Sequence, residues 1–289
     1  MNVRVAATAA LALGLLGCSA GPQDAAPVPP PTLRPAGEVG LQGRLVQYRR
    51  DAARRYLQVK ATATGQPLQV LDVALRPTGF APLGPTPVQA DLQPGGPVDL
   101  PAPYGEVRCE QDAGGVSTAL VTVRVAGGPP QTVELELPDE GLVPRLHTAQ
   151  CAEAEVRRQV DIALVDGWHP AGRALRATLR LQRREGQADV RVTELGDNTL
   201  FSLRTSQQRG PAPSPVVALA PGSEVAEVPF LVEATRCDPH ALAESKRTTA
   251  FRVFVSVDGA GPLLLVVEPD AAGKATLVQF ATDSCRGRG

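Results

Sequence analysis

The chain has 289 residues, a net charge of −1 and only 3% aromatic side chains. Its cores must therefore be built from Val, Leu and Ala, and the length suffices for two domains of ordinary size. Acids and bases are interspersed without a basic excess, which excludes nucleic acid as a partner on electrostatic grounds.

The chain opens MNVRVAATAALALGLLGC, with Arg4 ahead of an apolar run over 5–16. That run is too short to span a bilayer as a mature helix. It ends in Leu15-Leu16-Gly17-Cys18, which resembles the lipobox of bacterial lipoproteins. The resemblance implies cleavage ahead of Cys18, diacylglycerol on its sulfur, and palmitate as a further acyl group. Residues 1–17 are then a signal peptide, and the mature protein is lipid-anchored at the extracytoplasmic face of the cell membrane. The competing reading is an ordinary signal peptide cut near Ser19-Ala20, with an incidental cysteine. Residues 18–40 hold the lipidated cysteine and six prolines, and read as an extended tether.

Export bears on the remaining cysteines, Cys109, Cys151, Cys237 and Cys285. An even number outside the cytoplasm reads as disulfides, and four allow three connectivities. An internal repeat selects among them. Arg108-Cys109 and Arg236-Cys237 each close a short apolar strand, are followed by an acid and a polar connection, and then by a long alternating strand. A second cysteine closes each copy, so Cys109 is expected to pair with Cys151 and Cys237 with Cys285. No two cysteines have zinc-site spacing.

Both copies begin with Leu-Val, at Leu45 and Leu164, then an Arg-rich turn and an alternating strand at 56–59 and 175–181. Period-two alternation sends apolar residues to one face of a sheet. Gly-Gln follows at Gly65 and Gly186. The Pro- and Gly-rich stretches 76–87 and 204–215 read as loops or edge segments. Leu-x-Pro-Gly then recurs as Leu92-Gln93-Pro94-Gly95 and Leu219-Ala220-Pro221-Gly222, a sharp reversal with Pro at the first corner and Gly at the next. Strands are expected at 98–100, 106–109, 119–125, 132–137 and 145–151 in the first copy. In the second they are expected at 225–228, 231–237, 250–257, 263–267 and 276–285.

About seven short strands per copy predict an all-β chain of two tandem sandwiches, immunoglobulin-like or fibronectin-III-like, over 41–155 and 156–289. Leu-x-Pro-Gly before a short strand resembles many bacterial immunoglobulin-like domains. The disulfides are expected to tie a middle strand to the last one. Trp168, beside His169 and Pro170, reads first as packing between the domains and second as a contact patch.

Further motifs are Tyr48-Arg49-Arg50-Asp51, the Leu-Pro-x-Pro-Tyr-Gly run at 100–105, and Cys237-Asp238-Pro239-His240-Ala241. With these the chain resembles a group of uncharacterised actinobacterial secreted proteins and lipoproteins, and the resemblance brings no activity with it.

The three histidines, His147, His169 and His240, are not near a Gly-x-Ser-x-Gly elbow, and the cysteines are committed to bridges. The sequence thus predicts a non-enzymatic lipoprotein of the cell envelope, needing no cofactor and displaying loops to an envelope protein or polymer. Asp238, His240 and Glu244 are the candidate contact site. Asp238-Pro239 has the form of a capped helical turn, with His240 and Glu244 on one face. The same residues offer imidazole and carboxylate ligands, so a metal- or ligand-binding lipoprotein, such as a transporter accessory, is the alternative function.

Overall fold

A computed structural model describes residues 33–52, 54–205, 215–237 and 249–286. The chain is all-β, with its strands in four sheets. Strands β1 (Arg34–Pro35), β2 (Leu41–Val46), β3 (Tyr56–Ala63), β4 (Leu68–Arg76), β5 (Thr86–Leu92), β6 (Val98–Pro103), β7 (Ser117–Val125) and β8 (Gln131–Leu137) make the first half. They form a three-stranded sheet in the order β2-β3-β6 and a five-stranded sheet in the order β1-β8-β7-β4-β5. Strands β9 (Val160–Ala171), β10 (Ala174–Arg183), β11 (Val190–Gly196), β12 (Phe201–Thr205), β13 (Val217–Leu219), β14 (Val225–Ala234), β15 (Phe251–Val257) and β16 (Leu263–Val267) make the second. Their orders are β12-β14-β10-β9 and β13-β11-β15-β16.

The two halves repeat one another strand for strand. Replacing β2-β3-β6 by β9-β10-β14, and β8-β7-β4-β5 by β16-β15-β11-β13, reproduces each order. Among the described strands, only β1 and β12 have no counterpart. First, second and fifth strands on one sheet, third, sixth and seventh on the other, is the Greek-key partition of immunoglobulin-type sandwiches. Alternation drives it. In β7 the burial pattern is BiBiBiBii, so Ser117, Ala119, Val121 and Val123 face inward. Buried side chains gather into two clusters, one drawn from 36–143 and the other from 156–281.

The Leu-x-Pro-Gly reversals form as the sequence implies. Gly95 and Gly222 stand at φ 78° and 79°. The bonds from Gly96 N to Gln93 O (3.2 Å) and from Ser223 N to Ala220 O (3.0 Å) close both turns. Prolines keep to places where a missing N–H does no harm. Pro87, Pro101 and Pro103 lie in β5 and β6, which are sheet edges. Pro229 lies in β14 opposite Thr178 of β10, one residue beyond the last β12 pair, Thr205 with Phe230.

Two expected strands are helices. Residues 145–151 fall within α2 (Leu142–Gln159) and 276–285 within α3 (Ala271–Cys285); α1 is the single turn Arg49–Ala52. Period two failed there because the apolar residues recur at helical spacing: Val143 and Leu146, then Leu277, Phe280 and Ala281. Each helix also has a carboxylate at its start. Asp270 accepts from Gly273 N at 2.7 Å, and Asp139 accepts from Gly141 N at 2.8 Å and Val143 N at 3.0 Å. Residues 106–109 likewise form no strand, only an isolated bridge between Val107 and Phe80.

The disulfides pair as expected, Cys109 with Cys151 and Cys237 with Cys285, with Cα separations of 5.5 and 5.1 Å. They tie the loop after β6 or β14 to a terminal helix, not to a last strand. Trp168 packs inside the second half rather than between halves. Its ring meets Phe230 edge-on at 6.1 Å and stacks on Phe251 at 6.3 Å. At the other end of the chain, β1 pairs in parallel with β8 and Ala36 is buried. The last residues of the expected tether thus belong to the first sandwich. The position between 155 and 156, expected as a domain boundary, lies inside the continuous helix α2. No helix among the described residues is long and apolar enough to cross a membrane.

Candidate functional site

The halves differ, among the described residues, in the connection between their first two main strands. β9 passes into β10 through Gly172-Arg173 alone, while β2 and β3 are joined by nine residues, 47–55. Leu45 pairs with Val59 and Leu164 with Leu179, so the two connections are of nearly equal length, and the second half pairs as a hairpin what the first leaves as a loop.

The loop is held by specific bonds. Asp51 of α1 is 6% exposed and accepts a hydrogen bond from Gln58 Nε2 at 2.9 Å, Gln58 itself being buried in β3. A buried carboxylate needs such a partner, so this bond fixes the turn from within. The Tyr48 hydroxyl donates to Asp99 Oδ2 at 2.7 Å, pinning the entry to β6. Three guanidinium groups then lie over three rings: Arg50 over Tyr48 at 5.2 Å, Arg54 over Tyr56 at 5.1 Å, and Arg55 over Tyr104 at 5.4 Å. These are all three tyrosines of the chain. Stacking of this kind contributes about 0.5–1 kcal/mol per pair at an exposed site, and leaves the edge of the guanidinium free to donate in plane.

Arg55 differs from the others. Its backbone is left-handed, at φ 55°. Its Nη1 donates to both oxygens of Glu106 at 2.9 Å, and its Nη2 to Gly105 O at 2.6 Å and Gln150 Oε1 at 3.2 Å. Gln150 in turn donates to the Tyr104 hydroxyl at 2.9 Å. Arg55 therefore stitches the loop to the end of β6 and to α2. Arg55, at the end of the loop, thus meets the 100–105 motif through Tyr104 and Gly105.

Beside it lies a cleft of about 600 Å³ lined by Ala52, Arg55, Tyr104, Gln150, Arg157 and Glu268. Arg157 donates to Glu153 Oε1 at 2.8 Å and to Val266 O at 3.3 Å. Hydrogen bonds from Arg158 and Gln159 hold the Glu155 carboxyl below its usual range, at the last turn of α2. A hollow of about 740 Å³ beside β1 and β8 has, among the described residues, Glu134 and Glu136 as its charged lining.

Arg49, Arg50 and Arg54 are exposed. Arg50 has one long ion pair, 3.8 Å from Asp51, and its side chain is 71% exposed. Neither Arg49 nor Arg54 forms an ion pair among the described residues. This arginine–tyrosine loop went unread as a site, because its signal is a cluster of Arg and Tyr over 48–56 with no catalytic residue in it. His147 is occupied structurally, its Nε2 3.1 Å from Arg108 O and its ring edge-on to Phe80 at 5.9 Å. Cys18, Asp238, His240 and Glu244 lie outside the described residues.

No protein-family model matches the chain, and no curated protein does. Among solved structures it is similar to the crystal structure of a protein of unknown function from Porphyromonas gingivalis W83. The identity is 15%, over 80% of this chain and 99% of that one, with a TM-score of 0.21. A score that low carries no argument about fold or function.

Proposed function

We propose that the protein is a non-enzymatic, membrane-anchored lipoprotein of the cell envelope. In this reading residues 1–17 are removed, Cys18 carries the lipid, and the proline-rich stretch holds two sandwich domains away from the bilayer to bind an envelope component. The observation that carries it is Leu15-Leu16-Gly17-Cys18 at the end of a short apolar run. Two cysteine pairs at bonding geometry support an oxidising, extracytoplasmic setting. The arginine–tyrosine loop at 47–55 supports a binding role, since loops carried on a rigid scaffold are where recognition residues concentrate.

Metabolic labelling with a fatty acid tests the anchor. The natural chain is expected to incorporate label and partition into detergent, and Cys18→Ala to do neither. Equal labelling of the two would overturn the reading.

A further inference from the structure

We infer that the loop carrying Arg49, Arg50 and Arg54 is an oxyanion-binding site for a polyanionic envelope polymer, one with repeated phosphate or carboxylate groups. The inference rests on the binding role proposed above and gives it a ligand class.

Three observations converge on this loop. The corresponding stretch of the second half, 166–173, holds one arginine where 47–55 holds four, so the sandwich does not require arginines there. The loop is nevertheless built, with Asp51 buried beneath it on Gln58 and with Arg55 fastened to Glu106, Gly105 and Gln150. A flexible, solubilising loop has no use for a buried carboxylate anchor. Lastly, the arginines left over from this scaffolding are the exposed ones, and two of them are stacked on tyrosine rings.

Stacking matters for the chemistry. A guanidinium laid on a ring loses rotamer freedom in advance, and its N–H groups point outward in one plane. Such a group meets a phosphate or carboxylate as a fork, with paired charge-assisted hydrogen bonds. Arg55 already holds a carboxylate within the protein, though from a single nitrogen, its Nη1 donating to both Glu106 oxygens at 2.9 Å. Several such forks on one short loop suit a ligand presenting anions in series, and exposure of the loop suits a polymer over a small enclosed molecule. With a chain charge of only −1, the attraction is local to the loop and not a property of the whole surface.

The test uses the full chain in detergent, titrated with long-chain inorganic polyphosphate and, separately, with polygalacturonate. The natural protein is expected to bind at least one with salt-sensitive affinity, and the responding probe assigns phosphate or carboxylate. Changing Arg49, Arg50 and Arg54 together to Ala should weaken that binding by roughly tenfold or more, while the melting temperature falls by only the few degrees that losing two exposed ring contacts entails. Changing all three to Lys keeps the charge but loses the forks, and should recover only part. Arg145, Arg173 and Arg286 changed together to Ala remove equal charge elsewhere and should bind as the natural protein does. Absence of binding to both probes, an unaffected loop variant, or equal loss in the charge-matched control would each overturn the inference. Fatty-acid labelling is untouched by these outcomes, so a protein that labels but ignores both polymers keeps its anchor and loses this site.

Discussion

A Cβ atom at position 105 would stand 2.2 Å from the carbonyl oxygen of Ala81 and 3.0 Å from its carbonyl carbon. Both are backbone atoms and cannot swing aside. The Gly in the run 100–105 is thus a packing requirement, bringing two loop backbones into contact so that Ala81 N reaches Glu106 O at 2.8 Å and Gly105 O reaches Arg55. Gly105→Ala is expected to destabilise the fold by about 1–3 kcal/mol, as overpacking against unyielding neighbours does. Gly65, with nothing within 4 Å of its Cβ position and no positive φ, is the contrast. Gly65→Ala should be neutral or stabilising, by up to about 1 kcal/mol, through the unfolded chain alone. Thermal melts of both variants decide it, and similar effects would mean that the loop contact is not tight.

Helices are where this sequence was hardest to read. The strands, the two Leu-x-Pro-Gly turns and the cysteine pairing were legible because each depends on local chemistry or on the repeat. Alternation marks β7 and β15, and Pro followed by Gly at positive φ marks the turns. Both terminal helices were missed because short windows such as 145–151 contain few apolar residues, and a period cannot be fixed from two or three of them. The arginine–tyrosine loop was visible only as a motif, since nothing in the sequence says that Arg55 will meet Tyr104 and Gln150. Helix α3 shows the tertiary constraint most plainly. Gly273, in its first turn, sits where a Cβ would be 2.3 Å from Trp168 Nε1 and 2.8 Å from Pro269 Cβ. Replacing a helical Gly by Ala ordinarily stabilises by about 1 kcal/mol. Here the indole is confined by Phe230 and Phe251, so steric conflict of about 1–3 kcal/mol should outweigh that gain. Gly273→Ala is expected to lower the melting temperature and alter the emission of Trp168, the only tryptophan. A stabilised variant with unchanged emission would show that the helix does not rest on the ring.

Across the whole molecule, α2 joins the two cores. Val143, near its start, is buried with the first cluster, and Val156, near its end, with the second. They are about 20 Å apart along one uninterrupted helix, whose last residue runs straight into β9. A rigid connection of this kind couples the halves, because unfolding either one strips an end of the helix of its contacts. The chain carries its own reporters: all three tyrosines, 48, 56 and 104, lie in the first half, and Trp168 lies in the second. In the natural protein the tyrosine and tryptophan signals are expected to melt together, the usual mark of one cooperative unit. Ala154 is exposed on α2 between the two valines, so a change there removes no core contact. Ala154→Pro deletes a backbone hydrogen bond and collides with the carbonyl of Gln150, a local loss of about 3 kcal/mol. The two signals should then separate into distinct transitions. Ala154→Gly weakens the helix by only about 1 kcal/mol without breaking it, and its signals should stay together at a slightly lower temperature. If the proline variant still melts as one, the halves are coupled through other contacts, and α2 is a tether rather than a strut.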